Sequence, residues 1–194
     1  AAQAQARVPQ AGKDYLRLDR MAPVEAVEGK VEIVEFFWYN CPHCNAFEPR
    51  LNSWLGKAPA HVSFRRVPVG FRPDFEPQQR LYYALEMMGQ VEPLHSKVFA
   101  AIHGQRTNLN TAAAITDWVV QQGLDRAKFN EAFNSFAVAT KVRKAVQLQN
   151  AYPVSGVPSL GVAGRFYVDA ELAGSMDRAL SVADFLVSEV RAGR

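Results

Sequence analysis

The chain has 194 residues, of which 48% are hydrophobic and 11% aromatic, enough apolar material for one or two packed domains and too much for a disordered chain. Twenty-two Lys/Arg against nineteen Asp/Glu leave a net charge of +3, scattered along the sequence, so a nucleic-acid or lipid surface is not indicated. Two cysteines exclude a disulfide-scaffolded fold, and no run reaches the 18 or more apolar residues of a membrane span.

The chain opens Ala1-Ala2-Gln3-Ala4-Gln5-Ala6 with no initiator Met, which fits a mature chain after signal-peptide removal and equally a trimmed one. Small and polar residues up to Lys13 predict a flexible tail. Val31 to Tyr39 is apolar on both alternation faces and reads as a central strand covered on both sides. Pro42 suits a first helical turn, and Phe47, Leu51, Trp54 and Leu55 give that helix an apolar stripe as far as Gly56. His61 to Val69 is a second strand.

Beyond Pro73 and Pro77 the period becomes helical. Leu81, Ala84, Leu85 and Met88 form one stripe, Val91, Leu94, Val98 and Ile102 a second, Ile115, Val119 and Gln122 a third; Phe129, Ala132, Phe133 and Phe136 continue the pattern into a Pro-free run to Gln149. Strand signals return at Pro158 to Val162, with a turn at Ala163-Gly164 and a return strand over Arg165 to Val168. Leu180, Phe185, Leu186 and Val190 mark a last helix, with Ser181 and Asp184 spaced as a capping box. Two strands at either end could not each bury a core, so the economical arrangement is a single α/β domain carrying an inserted helical block.

Cys41-Pro42-His43-Cys44 is the cysteine chemistry available. As a structural disulfide it would close a four-residue loop and contribute only about 2 kcal/mol, which a domain with this apolar content hardly needs. A zinc site wants four Cys/His ligands, and His61, His95 and His103 show no ligand spacing. Redox chemistry fits better. A strand ending in a tight turn puts Cys41 at a helix start, where free N–H groups and the dipole favour a thiolate, so Cys41 is the expected attacking sulfur and Cys44, one turn on, the resolving one. His43, with Pro42, tunes the pair: the imidazole stabilises the thiolate as a hydrogen-bond donor or as a cation, which raises the reduction potential and predicts a disulfide donor. Glu35, a carboxyl within the apolar strand, either relays the proton that Cys44 must release or is neutralised by a cation such as Lys30 or an arginine.

The assembly Val34-Glu35-Phe36-Phe37, Cys41-Pro42-His43-Cys44, Phe47-Glu48 and Gly156-Val157-Pro158-Ser159-Leu160 resembles the DsbA family, periplasmic thiol:disulfide oxidoreductases of Gram-negative bacteria. The resemblance implies an α/β, thioredoxin-like fold with an inserted helical domain, here a discontinuous 14–72 and 151–194 interrupted by 73–150. By the same resemblance Cys41 is the nucleophile, Cys44 the buried resolving thiol, Pro42-His43 the tuning dipeptide and Glu35 the buried acid. Pro158 would be a cis-proline facing the disulfide, and Val157 would pair with extended substrate. The implied partners are reduced, newly exported polypeptides and a quinone-linked membrane reoxidant resembling DsbB, in the periplasm, for a monomer using no dissociable cofactor, metal or nucleic acid. One departure is Ser159-Leu160-Gly161-Val162-Ala163-Gly164, where the family often has Thr or Ala, bulkier residues and an Asn-Gly turn; this bears on substrate preference.

Three other readings compete. A thioredoxin-like reductase or isomerase runs the same attack with opposite electron flow, and equilibration with glutathione separates it from an oxidant. A polypeptide-binding module would keep its function without Cys41. A glutathione-transferase-like enzyme shares the strand–helix start, but the paired cysteines argue against it.

Overall fold

The computed structural model describes residues 7–194, so the Ala1–Ala6 start lies outside the described residues. From Arg7 on the chain is tied down: Arg7 pairs with buried Asp14 at 2.7 Å, and the Asp14 carboxylate also accepts from the Gln10 backbone N–H at 2.8 Å. For residues 7–13 the loose tail expected up to Lys13 is thereby corrected, because Asp14 supplies an acceptor for the turn. A short strand the periodicity could not reveal follows, β1 (Leu16–Arg17).

The central strand β2 (Val31–Phe37) is buried along its whole length and ends two residues before the expected Tyr39. Helix α1 (Pro42–Gly56) begins with proline at its first position, and Pro49 within it leaves the Asn45 carbonyl without its helical donor. β3 (Val62–Pro68) runs parallel to β2. β4 (Ser159–Val162) and β5 (Phe166–Asp169) form the hairpin, with Ala163 and Gly164 both at positive φ (56° and 69°), the geometry of a type I′ turn that needs no Asn-Gly pair. Strand order among the described residues is β1-β5-β4-β2-β3, with every pair antiparallel except β2–β3.

Between β3 and β4 a 3₁₀ turn (Pro73–Phe75) leads into α2 (Glu76–Met87), α3 (Val91–Phe99) with a π turn at Ala100–Gly104, α4 (Ala112–Gln121), α5 (Arg126–Phe133) and α6 (Phe136–Ala151). After β5 come a single turn, α7 (Ala170–Ala173), and the last helix α8 (Met176–Arg191). The cap of α8 is Ser175, which accepts from the Arg178 N–H, and Ser181 lies inside the helix; the 181/184 capping box is corrected, since Ser175 reaches the free N–H groups first. Phe136 is likewise corrected: at the start of α6 it is 81% exposed, and the core stripe there runs through Val138, Val142 and Ala145.

The sheet alternation separates two cores. Ile33, Leu160, Val162, Phe166 and Val168 pack beneath Phe47 and Leu51 of α1 and Leu186 of α8. Val34, Phe36 and Tyr167 face the other way and share one core with the inserted helices, through Leu81, Leu85, Phe129 and Tyr152 among others. Gly161 permits this contact: a Cβ there would lie 2.5 Å from the Tyr152 ring, whose hydroxyl accepts from the Gly164 N–H at 2.7 Å. Gly161→Ala is expected to cost about 1–3 kcal/mol by overpacking, read as a fall in the urea midpoint with an unchanged slope.

Candidate active site

Cys41 is the residue that caps α1, with extended backbone (φ −81°, ψ 117°), so its sulfur stands over the free N–H groups of the first turn and accepts from the Cys44 N–H at 3.3 Å. Across the chain, the same sulfur lies 3.6 Å from the Val157 carbonyl oxygen, to which the thiol form donates. The Val157–Pro158 peptide bond is cis. Both cysteines are unbonded. Cys41 retains 7% of its surface, whereas Cys44 retains none.

The two thiols are driven apart in acidity. Hydrogen bonding from the Cys44 thiol, opposed by burial and aided by the Cys44 and His43 N–H groups and the His43 charge, lowers Cys41 to about 6. Burial above all, then the bond to Cys41 and the neighbouring Glu35, pushes Cys44 far up. At neutral pH the centre holds one thiolate and one thiol. His43 and Pro42 are exposed beside it.

Below the sulfurs lies a charged cluster that the sequence only partly announced. Glu35 is fully buried and its carboxyl is raised well above the ordinary range, by burial first and the Glu48 charge second, with Arg66 opposing. Its cation is Arg66, 3.3 Å away and opposite it in the β2–β3 register, not Lys30, which lies in the exposed turn before β2. Arg66 also lies 3.3 Å from Glu48 and 3.2 Å from Asn52 of α1. Burial raises Glu48, yet the His95 contact and Arg66 together hold it below the usual range. Glu48 stands four residues after Cys44, on the same buried face of α1. That spacing was available in the sequence; Arg66 and His95, brought in by β3 and α3, carried no comparable mark.

The inserted helices grip the segment between β2 and Cys41. Trp38 stacks on Phe75 at 4.1 Å, the His103 ring nitrogen meets the Tyr39 carbonyl at 2.7 Å, and Gln78 donates to Asn40 at 2.9 Å. Beside the cysteines runs an open groove of about 540 Å³ lined by His43, Phe47, Val157, Pro158, Glu171 and Met176, among others. Phe71 does not line this groove and packs against Phe75, ring centroids 6.0 Å apart.

A parallel β2–α1–β3 unit joined to an antiparallel hairpin, with two cysteines of divergent acidity at the strand–helix junction and a cis-proline loop across from them, defines a thioredoxin-fold thiol:disulfide redox centre. Residues 32–181 match the family model described as DSBA-like thioredoxin domain. The chain is 40% identical over 190 residues to the thiol:disulfide interchange protein DsbA of Burkholderia cepacia, covering 98% of this chain and 90% of that one. With its namesake from Pseudomonas aeruginosa strain PAO1 it shares 40% identity over 182 residues, 94% and 86% of the two chains. The crystal structure of Pseudomonas aeruginosa DsbA superposes with a TM-score of 0.90 at 39% identity, over 95% of this chain and 96% of that one; DsbA from Xylella fastidiosa gives 0.89 at 28%, over 96% and 100%.

The chain belongs to the DsbA family. It is a thiol:disulfide oxidoreductase with a thioredoxin fold and an inserted helical region, and it donates a disulfide from Cys41–Cys44 to reduced polypeptides by way of a mixed disulfide. Its redox group is the cysteine pair itself. Among the described residues no cluster of His, Cys, Asp and Glu is arranged to hold a metal ion.

Proposed function

We propose the following division of labour at this centre. A substrate thiolate attacks the Cys41 sulfur of the oxidised pair, forming the substrate–Cys41 bond and breaking Cys41–Cys44, whose electron pair goes to Cys44 with a proton. A second substrate thiolate then attacks the first substrate sulfur and expels Cys41 as a thiolate, leaving an oxidised substrate and reduced enzyme. The acidity of Cys41, near 6, carries this reading, because it makes Cys41 a good leaving thiolate at neutral pH.

His43 favours that thiolate by charge and backbone N–H, and Pro42 starts the helix on which both depend. Glu35, kept uncharged by burial, relays the Cys44 proton during reoxidation: its carboxyl gives up its own proton toward solvent and then takes the one from Cys44, which must become a nucleophile. Val157 and Pro158 border the groove, where an extended peptide pairs with the Val157 backbone and brings its sulfur to Cys41. Residues 14–72 and 151–194 act as one thioredoxin-like domain, with 73–150 as the helical insertion.

Exported, reduced proteins in the periplasm are the substrates, and a quinone-linked membrane protein of the DsbB kind is the reoxidant; membership of the DsbA family supports both. The chain works as a monomer. To test the assignment of the two sulfurs, Cys44→Ala given a cysteine peptide as its disulfide-linked dimer should accumulate a long-lived mixed disulfide, formed as the Cys41 thiolate attacks the dimer and expels one peptide thiolate, and peptide mapping should find it on Cys41. No adduct, or an adduct released as fast as in the parent, would refute it.

A further inference from the structure

His95 comes from α3, far from the cysteines in sequence, yet it reaches the cluster beneath them. Its Nε2 lies 3.4 Å from Glu48 Oε1 and its Nδ1 lies 2.7 Å from the Tyr39 hydroxyl. An ionised carboxylate only accepts, so the Nε2 facing Glu48 carries the proton, and Nδ1 then accepts from Tyr39. Burial lowers the basicity of the ring more than Glu48 raises it, and the ring is 5% exposed. Around it stand Phe37 and Tyr39 from β2 and its end, Tyr82 from α2, Phe99 from α3 and Glu48 from α1, with Arg66 of β3 beyond Glu48.

The cluster contains two buried carboxyls, Glu35 and Glu48, and one guanidinium, Arg66, at 3.3 Å from each. One buried cation offsets one buried anion, so the second acid stays protonated. Which acid holds the charge matters to the sulfurs. A charge on Glu35 and the Cys41 thiolate repel one another, and Glu35 acts on Cys44 as well, whereas Glu48 is shifted by burial, His95 and Arg66.

We propose that His95 is a positioning residue of the redox centre: its Nε2–H directs the single negative charge of the acid pair onto Glu48, which leaves Glu35 neutral beneath Cys44 and the Cys41 thiolate unopposed. By this device the inserted helices help to set how strongly the enzyme oxidises. Without the His95 donor, Glu48 takes up a proton, Arg66 passes to Glu35, and the charge moves next to the sulfurs. The inference rests on Cys41 as the attacking sulfur, which the Cys44→Ala adduct tests separately; here the readout is a shift in the midpoint of a protein that still cycles.

In the glutathione equilibrium two electrons from two glutathione thiols break the Cys41–Cys44 bond, glutathione disulfide forms, one proton stays on Cys44 and one is released. His95→Phe, which keeps the ring volume, is expected to lower the equilibrium constant for this reduction about tenfold, or about 30 mV for a two-electron couple. It should also move the midpoint of the iodoacetamide rate profile of Cys41 upward by about one pH unit. His95→Gln, which retains an N–H donor, should recover most of the change. In a Glu48→Gln background, where the charge already resides on Glu35, His95→Phe should add less than twofold. A folded His95→Phe with an unaltered midpoint, or the same shift in both backgrounds, would overturn the inference. Tyr39→Phe/His95→Phe, which leaves no orphaned hydroxyl, serves if the single variant fails to fold. The ¹⁵N shifts of the His95 ring in the parent protein give a further check: a bare Nε2 would also overturn it.

Discussion

Cys41→Ala is expected to lower the rate at which the protein oxidises a reduced peptide by at least a thousandfold, to the background rate, while the far-UV spectrum, and the unfolding midpoint measured below pH 6 where the Cys41 thiolate contributes nothing, stay close to those of the reduced parent. The size follows from what remains. Cys44 has no exposed surface, and burial together with Glu35 keeps it a thiol at any working pH. It therefore offers neither a nucleophile nor a disulfide to attack. The groove along Val157 and Pro158 survives, so binding of an unfolded chain should persist when oxidation is lost. A variant that kept the parent's oxidation rate would remove the cysteine mechanism altogether and return the polypeptide-binding reading.

The second large effect concerns pH. Lowering Cys41 from an ordinary 9.0 to about 6 means that the folded, reduced protein holds a thiolate where the unfolded chain holds a thiol. A depressed folded-state value stabilises above the unfolded value and loses its effect as pH falls through the folded one, so the contribution is complete above about pH 9, about 4 kcal/mol, and gone below about pH 6. Within that window it changes by about 1.4 kcal/mol per pH unit. The disulfide of the oxidised form contributes about 2 kcal/mol through its four-residue loop, insensitive to pH. Reduced protein should therefore melt below oxidised protein near pH 6 and above it near pH 8.5. The midpoint potential should report the same ionisation independently, falling about 59 mV per pH unit below pH 6, where reduction takes up two protons, and about 30 mV above, where it takes up one. A single slope from pH 5 to 8, or a stability difference that ignores pH, would show that Cys41 is not held as a thiolate.

Both expectations depend on the helix start, and that much was legible in one dimension. An apolar strand broken by Asn40, a proline at the first helical position and a cysteine on either side of Pro42-His43 fix where Cys41 falls relative to the free N–H groups, because capping depends only on neighbours along the chain. Central β2, the helical stretch between β3 and β4 and the terminal hairpin were equally readable, since period-two and 3.6-residue patterns are local. The errors were local as well. Ser181 has the spacing of a cap, but Ser175 begins the helix one and a half turns earlier; Phe136 extends an apolar stripe on paper and stands in solvent at the start of α6.

The cluster under the cysteines could not be read in the same way. Glu35 is conspicuous as a carboxyl in an apolar strand, and its need for a cation follows from burial, but any of 22 Lys/Arg would have satisfied that need on paper. Parallel pairing of β2 with β3 selects Arg66, and packing of α3 against the end of β2 brings His95 to Glu48. The sequence by itself determined that this protein carries a reactive cysteine at a helix amino end within an α/β domain, because those features arise between residues a few positions apart. Only the tertiary structure decided which buried charges face the sulfurs, which carbonyl meets Cys41 and which helices hold its loop, because solvation and Coulomb energies depend on distances that the fold alone creates.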